Sequence, residues 1–180
     1  MIPPVGQPVL VEHAVLPLGA RLWGAGRPAY PDEPPLPEAV EAGVREWRES
    51  GVDFVVSLIE DWEIPRRAPG LFDAVSRRGI GLVRFPVVDF GAPTDVAVFA
   101  EQLAELRRRL ARGEGILVHC NAGLGRTAVV LASLLKIYGL DSDPVAEIRR
   151  VYRANAMERP TQEAFVRGLP ASPNGEPRGR

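Results

Sequence analysis

The sequence predicts an α/β fold: a central, mostly parallel, twisted sheet of about five strands flanked by helices. Two observations carry this reading. Short apolar runs rich in Val, Ile and Leu alternate with segments of helical period through the middle of the chain, the pattern of a parallel sheet with helices on its faces. The chain is also 180 residues long and 46% hydrophobic, enough for one domain with a proper core.

In order, residues 9–16 and 21–23 read as edge strands, and Arg27 to Pro37 is a proline-rich connection. Glu38 to Ser50 reads as a helix with Val40, Val44 and Trp47 inward and Gly51 as its stop. Asp53 to Ile59 and Ile80 to Val87 are two further strands, separated by a helical stretch around Leu71 to Arg78 that Gly79 ends. From Thr94, read as the cap, to Arg112, Val96, Phe99, Leu103, Leu106 and Leu110 recur at helical spacing. Gly115 to Val118 is a short buried strand, and Ala128 to Leu135 is an apolar helix closed by Tyr138-Gly139. Asp143 and Pro144 start another helix, carrying Ile148, Val151 and Tyr152. Residues 1–169 are expected to form a single domain, and 170–180, rich in Pro, Gly, Ser and Arg, a disordered tail.

The charge balance of 22 basic and 23 acidic residues gives a net charge of −1. It offers no sign of nucleic-acid binding, and Arg107-Arg108-Arg109 lies on the polar face of a helix. No segment is long and apolar enough to span a membrane, and Met1 to Leu16 lacks a signal peptide's pattern. The single cysteine excludes an intrachain disulfide and favours a reducing cytoplasm. A monomer is expected.

That cysteine carries the chemistry. His119-Cys120-Asn121-Ala122-Gly123-Leu124-Gly125-Arg126-Thr127 joins a strand to a helix. A helix N-terminus offers unpaired N–H groups and a positive dipole end, which suit phosphate. Gly123 and Gly125 would let the loop curl through positive φ into a nest of N–H groups. A helix N-terminus and a nearby cation together lower a thiol pKa from about 8.5 to roughly 5 or 6, giving a thiolate nucleophile. Arg126 can hold two phosphate oxygens at once. Thr127 either places a hydroxyl beside the sulfur or caps the helix, and His119 is read as a buried residue orienting the loop. Asn121, Ala122, Gly123, Leu124 and Gly125 complete the phosphate-binding set. No metal or cofactor is called for.

Expelling an alkoxide or phenolate needs a proton donor. Ligands in parallel sheets bind outside the carboxyl ends of the strands, so Asp89, at the end of its strand, can meet Cys120 at one edge. By the same geometry Glu60, Asp61 and Trp62 leave their strand there. A carboxylate among them could orient Arg126 or replace Asp89, or be solvated loop charge; Trp62 either stacks on substrate or packs in the core.

The loop His119-Cys120, five residues, Arg126-Thr127 resembles the signature of the cysteine-dependent protein tyrosine and dual-specificity phosphatases. Asp89-Phe90-Gly91-Ala92-Pro93 is similar to the general-acid loop of the dual-specificity branch. The likeness extends from about residue 21 to residue 166. It implies a dual-specificity-phosphatase-like fold and a two-step hydrolysis through phosphocysteine, with Cys120 as nucleophile, Arg126 binding phosphate and Asp89 as acid and then base. It also implies that Gln162 positions the hydrolytic water, against the plainer reading of an exposed polar residue.

The expected substrate is a phosphorylated protein carrying phosphotyrosine, with phosphoserine or phosphothreonine as further candidates, and free phosphate or sulfate is expected to fit the loop. Neutral Asn121, Ala122 and Leu124 disfavour a polyanionic headgroup, but a phosphoinositide or inositol-phosphate phosphatase is an alternative, as is a phosphate-reading pseudophosphatase.

Overall fold

The computed structural model describes residue 4 and residues 6–170; the tail expected at 170–180 lies almost wholly outside them. Seven helices surround one five-stranded sheet of order β1-β2-β5-β3-β4. The strands are β1 (Val9–Leu10), β2 (Leu22–Ala25), β3 (Phe54–Ser57), β4 (Gly81–Arg84) and β5 (Ile116–His119). Only the β1–β2 pair is antiparallel. The expected mostly parallel sheet is therefore present, with one correction. β2 is not an edge strand: it lies between β1 and β5, with Leu22 opposite Ile116 and Ala25 opposite His119. All four of its residues are buried, which a strand exposed at one edge would not need.

Alternation along the strands divides the core. Leu22, Phe54, Val56, Ile116 and Val118 face one layer, formed by α4 (Val96–Ala111), α5 (Arg126–Ile137), α6 (Pro144–Val151) and α7 (Pro160–Gly168). Trp23, Ala25, Val55 and Leu117 face the other, formed by α1 (Pro37–Glu49) and α3 (Leu71–Arg77). Strands covered on both faces have no polar side to show, which is why they read as continuous apolar runs. A short α2 (Ile64–Arg67), unmarked by any periodicity, follows the β3 loop.

Helix ends follow local chemistry. Asp143 caps α6, its Oδ1 accepting from Val145 N–H at 3.4 Å, with Pro144 at the first helical position. The α4 cap is Asp95, accepting from Val98 N–H at 3.0 Å, one residue beyond the expected Thr94. Either side chain suits the position, and Asp95, on extended backbone, is the one whose oxygen meets the N–H three residues on. Gly51 and Gly79 end α1 and α3 with φ of 91° and 63°. At Gly24 a Cβ would stand 2.6 Å from both Leu131 Cδ1 and Tyr152 Cε2, so the missing side chain lets α5 and Tyr152 close on the sheet. No helix among the described residues is long and apolar enough to cross a membrane.

Candidate active site

β5 has neighbours on both sides, so the residue that leaves its carboxyl end emerges near the middle of the sheet edge. That residue is Cys120, 3% exposed, and α5 begins six residues later. The loop between them is shaped by its carbonyls. Asn121 O accepts from Arg27 N–H at 2.9 Å and Leu124 O from Met157 N–H at 3.0 Å. Gly123 O accepts from Tyr152 O–H at 2.6 Å. With the carbonyls tied to the scaffold, the N–H edges are left for the concave side. Gly123 N–H donates to Cys120 Sγ at 3.3 Å.

The two loop glycines serve different needs. Gly123 has φ +80°, and a Cβ there would meet the Ala25 and Gly26 backbone at 2.5 Å. Gly125 does not use positive φ, contrary to expectation: its φ is −86°. Its reason is space, since a Cβ would stand 2.7 Å from both Gln162 Nε2 and Glu158 Oε2.

Arg126 is 2% exposed and fully engaged. Nη1 donates to Glu63 Oε2 at 2.6 Å and Nη2 to Glu63 Oε1 at 3.0 Å, a two-point pairing. Nη1 also reaches the carbonyls of Leu58 and Val87, at 3.2 and 3.0 Å. Burial opposes its charge, yet Glu63 and the charges of Cys120 and Asp89 hold its pKa above the ordinary value. Burial likewise opposes the charge on Glu63, and Arg126, the Glu60 N–H and Arg67 outweigh it, keeping Glu63 ionised below its usual range.

Asp89 arrives from beyond β4, as the strand-edge argument requires. Its Oδ1 lies 2.9 Å from Arg126 Nη2 and its Oδ2 3.2 Å from Arg67 Nη1. The Asp89 N–H donates to Glu60 Oε2 at 3.1 Å, and Gln162 Nε2 donates to Gly91 O at 3.0 Å. The loop is thus fixed at both ends, while Val88 and Phe90 stand 61% and 45% exposed.

The remaining residues sort clearly. His119 is fully buried, and its Nδ1 lies 3.1 Å from Cys120 O. Burial pushes its pKa down to about 4, so the ring is neutral and Nδ1 carries the proton for that bond. Its ring packs on Trp47, with centroids 5.4 Å apart. Thr127 is not the helix cap, which is Gly125; its hydroxyl donates to Ala25 O at 3.4 Å. Gln162 is not exposed but wholly buried: Oε1 accepts from Glu158 and Arg159 N–H at 2.9 and 3.3 Å. Of the residues leaving β3, Glu60 braces Asp89, Asp61 pairs with Arg84 on the surface, and Trp62 is 53% exposed with Arg67 over its ring at 4.9 Å. Trp62 is therefore no core residue, and the partner of Arg126 is Glu63, two residues beyond the nearest candidate carboxylate, Asp61.

Sequence reasoning missed Glu63, Arg67, Arg27 and Glu158. A signal existed for Glu63: an arginine buried in a loop needs a buried counter-charge, and Glu63 starts a proline-bearing turn. Arg27, also buried, donates through Nε to Asn121 Oδ1 at 2.8 Å, but nothing local to it points there. No cluster of His, Cys, Asp or Glu suited to a metal occurs among the described residues.

Comparisons with known proteins bear on this geometry. Residues 32–139 match the family model described as "Polymorphic toxin system, DSP-PTPase phosphatase". Cyclin-dependent kinase inhibitor 3 of Sus scrofa is 33% identical over 97 residues, covering 53% of this chain and 45% of that protein. The chain thus spans about half the length of the curated relatives it matches. Among solved structures, a kinase-associated phosphatase with serine replacing its catalytic-site cysteine superposes with TM-score 0.73 at 22% identity, covering 91% of this chain and 93% of that one. The active form of Tk-PTP superposes with TM-score 0.65 at 28% identity, covering 83% and 90%.

Proposed function

This chain belongs to the DSP-PTPase phosphatase family of polymorphic toxin systems, and from that premise we propose that it hydrolyses phosphomonoesters through a phosphocysteine. The observation that carries the reading is the convergence of three groups on one cradle: Cys120 at its floor, Arg126 at its wall, and Asp89 in contact with Arg126 at 2.9 Å.

In the first step the Cys120 thiolate attacks phosphorus in line, the phosphorus–oxygen bond breaks, and Asp89 gives a proton to the leaving oxygen. Arg126 and the loop amides of residues 121–126 hold the equatorial oxygens, where they stabilise the transition state more than the ground state. Phosphate binding exchanges the Asp89 contact with Arg126 for a phosphate oxygen and turns the carboxyl group to the leaving atom. Glu63 keeps the guanidinium fork fixed meanwhile. His119 holds the loop through Cys120 O, and Thr127 supports the sulfur as it departs in the second step, when water attacks phosphocysteine.

A phosphotyrosine-bearing protein is the substrate this rim suits. Exposed Trp62 and Phe90 flank Asp89, each beneath an arginine: Arg67 at 4.9 Å and Arg159 at 4.9 Å. The loop itself carries neutral Asn121, Ala122 and Leu124, and the nearby Arg27 and Arg67 are engaged by Asn121 and by Glu33, Glu63 and Asp89. A panel of phosphotyrosine, phosphoserine and phosphothreonine peptides, phosphoinositides and inositol phosphates tests this. Fastest turnover is expected with phosphotyrosine peptide, and turnover confined to inositol phosphates would replace the reading. Asp89→Asn should slow an alkyl phosphate about 100-fold or more and an activated aryl phosphate far less; equal losses would mean another donor.

A further inference from the structure

We propose that Arg27 is a positioning residue for phosphate: by gripping Asn121 it aims the first amide of the cradle and adds a buried positive charge beside it. The proposal deepens the phosphatase reading above and rests on it.

The grip follows from how the chain leaves β2. The next residue, Gly26, lies so close to the loop that a Cβ there would stand 2.9 Å from both Asn121 O and Ala122 O. Arg27 therefore enters beside Asn121 and holds it twice. Its N–H donates to Asn121 O at 2.9 Å, and its Nε donates to Asn121 Oδ1 at 2.8 Å. In a planar trans peptide the carbonyl and the following N–H point opposite ways. Tying Asn121 O to Arg27 thus turns the Ala122 N–H away from β2, to the concave side of the loop. The side-chain bond has a second effect. An asparagine oxygen readily takes nearby main-chain N–H groups, and Arg27 withholds that oxygen from the amides a phosphate would use.

Charge supports the same reading. The Arg27 side chain is wholly buried, and the carboxylate paired with it among the described residues is Glu33, whose Oε1 stands 3.9 Å off and accepts from Arg67 Nε at 2.8 Å. Its remaining acceptors, Pro28 O at 3.4 Å and Asp32 O at 2.8 Å, are uncharged. Burial is accordingly the largest influence on its pKa and lowers it, against Glu33. An apolar side chain would pack without that penalty. A phosphate dianion in the cradle supplies the counter-charge that Glu33 divides with Arg67. The plainer role, stapling the proline-rich connection through Pro28 O and Asp32 O, needs no bond to Asn121.

Arg27→Met, Asn121→Ala and the double variant separate the two roles, with inorganic phosphate as the probe and hydrolysis of an aryl phosphate as the readout. The main-chain bond survives both substitutions, so the side-chain link is what they remove. Each single variant is expected to weaken competitive inhibition by phosphate about tenfold. The double variant should lose no more than the worse single one, because both break the same link. Amides act on phosphoryl oxygens in ground state and transition state alike, so KM should rise with kcat little changed. Unchanged phosphate inhibition in Asn121→Ala, losses that multiply in the double variant, or a loss confined to kcat would overturn the proposal. If Arg27→Met does not fold, Asn121→Ala decides, since it leaves the staple of the connection intact. Failure of the phosphatase reading shows separately, as turnover that survives in Cys120→Ser or a wild type that phosphate does not inhibit.

Discussion

Arg126 meets the site from inside the protein, its guanidinium shared among Glu63, Asp89 and two carbonyls. Removing one member of a buried, hydrogen-bonded pair leaves the other uncompensated, at a cost of about 3–5 kcal/mol. Glu63→Gln keeps the shape but not the charge. It is expected to lower the urea-unfolding free energy by about 3 kcal/mol and to weaken competitive inhibition by phosphate; unchanged stability would show that Arg126 is held by its carbonyl contacts alone. His119 supplies a pH signature. Its folded pKa of about 4 lies below its ordinary 6.5, so the unfolded chain binds the extra proton and stability falls as pH drops through that window. The loss amounts to roughly 3 kcal/mol. Ionised Glu63, also depressed, adds its loss only below the usual carboxylate range. Denaturation between pH 4.5 and 6.5 should therefore be steeply pH-dependent in wild type and flatter in His119→Gln, and parallel curves would refute the assignment.

At the scale of elements, β5 flanked by β2 and β3 brings Cys120 to the centre of the sheet edge, and β4 brings Asp89 beside it. This much was legible, because buried parallel strands and the strand-to-helix loop leave a local trace in apolar runs and glycines. What joins distant segments left none. The inner position of β2 depends on pairing with a strand some ninety residues on, and Glu63 and Glu158 are recognisable only from what they touch. Gly125 shows the difference: its glycine was read as a conformational need, whereas its backbone is ordinary and its neighbours Gln162 and Glu158 exclude a side chain. Gly125→Ala is accordingly expected to fold but to push α7's start away from the cradle, lowering kcat about tenfold or more through lost alignment. Gly24→Ala acts differently, since it forces Leu131 and Tyr152 off the sheet. It should cost about 1–3 kcal/mol of stability, and an unchanged melting temperature would mean that the packing there yields freely.

Across the whole molecule, two helical layers clamp a sheet whose carboxyl edge carries the loop from Cys120 to Arg126, and anything that binds there stabilises the folded chain. Saturating inorganic phosphate, at about 100 times its dissociation constant, should add roughly 2.7 kcal/mol and raise the melting temperature relative to chloride at equal ionic strength. The same addition should do far less in Arg126→Ala. Equal shifts in both would place the anion elsewhere. The central claim is that one thiolate carries the phosphoryl group, and turnover of an aryl phosphate by Cys120→Ser, measured beside folded wild type, tests it most directly. The account expects the rate to fall by about a thousandfold or more, to the background of a cradle without a nucleophile; a serine variant that retains turnover would contradict it.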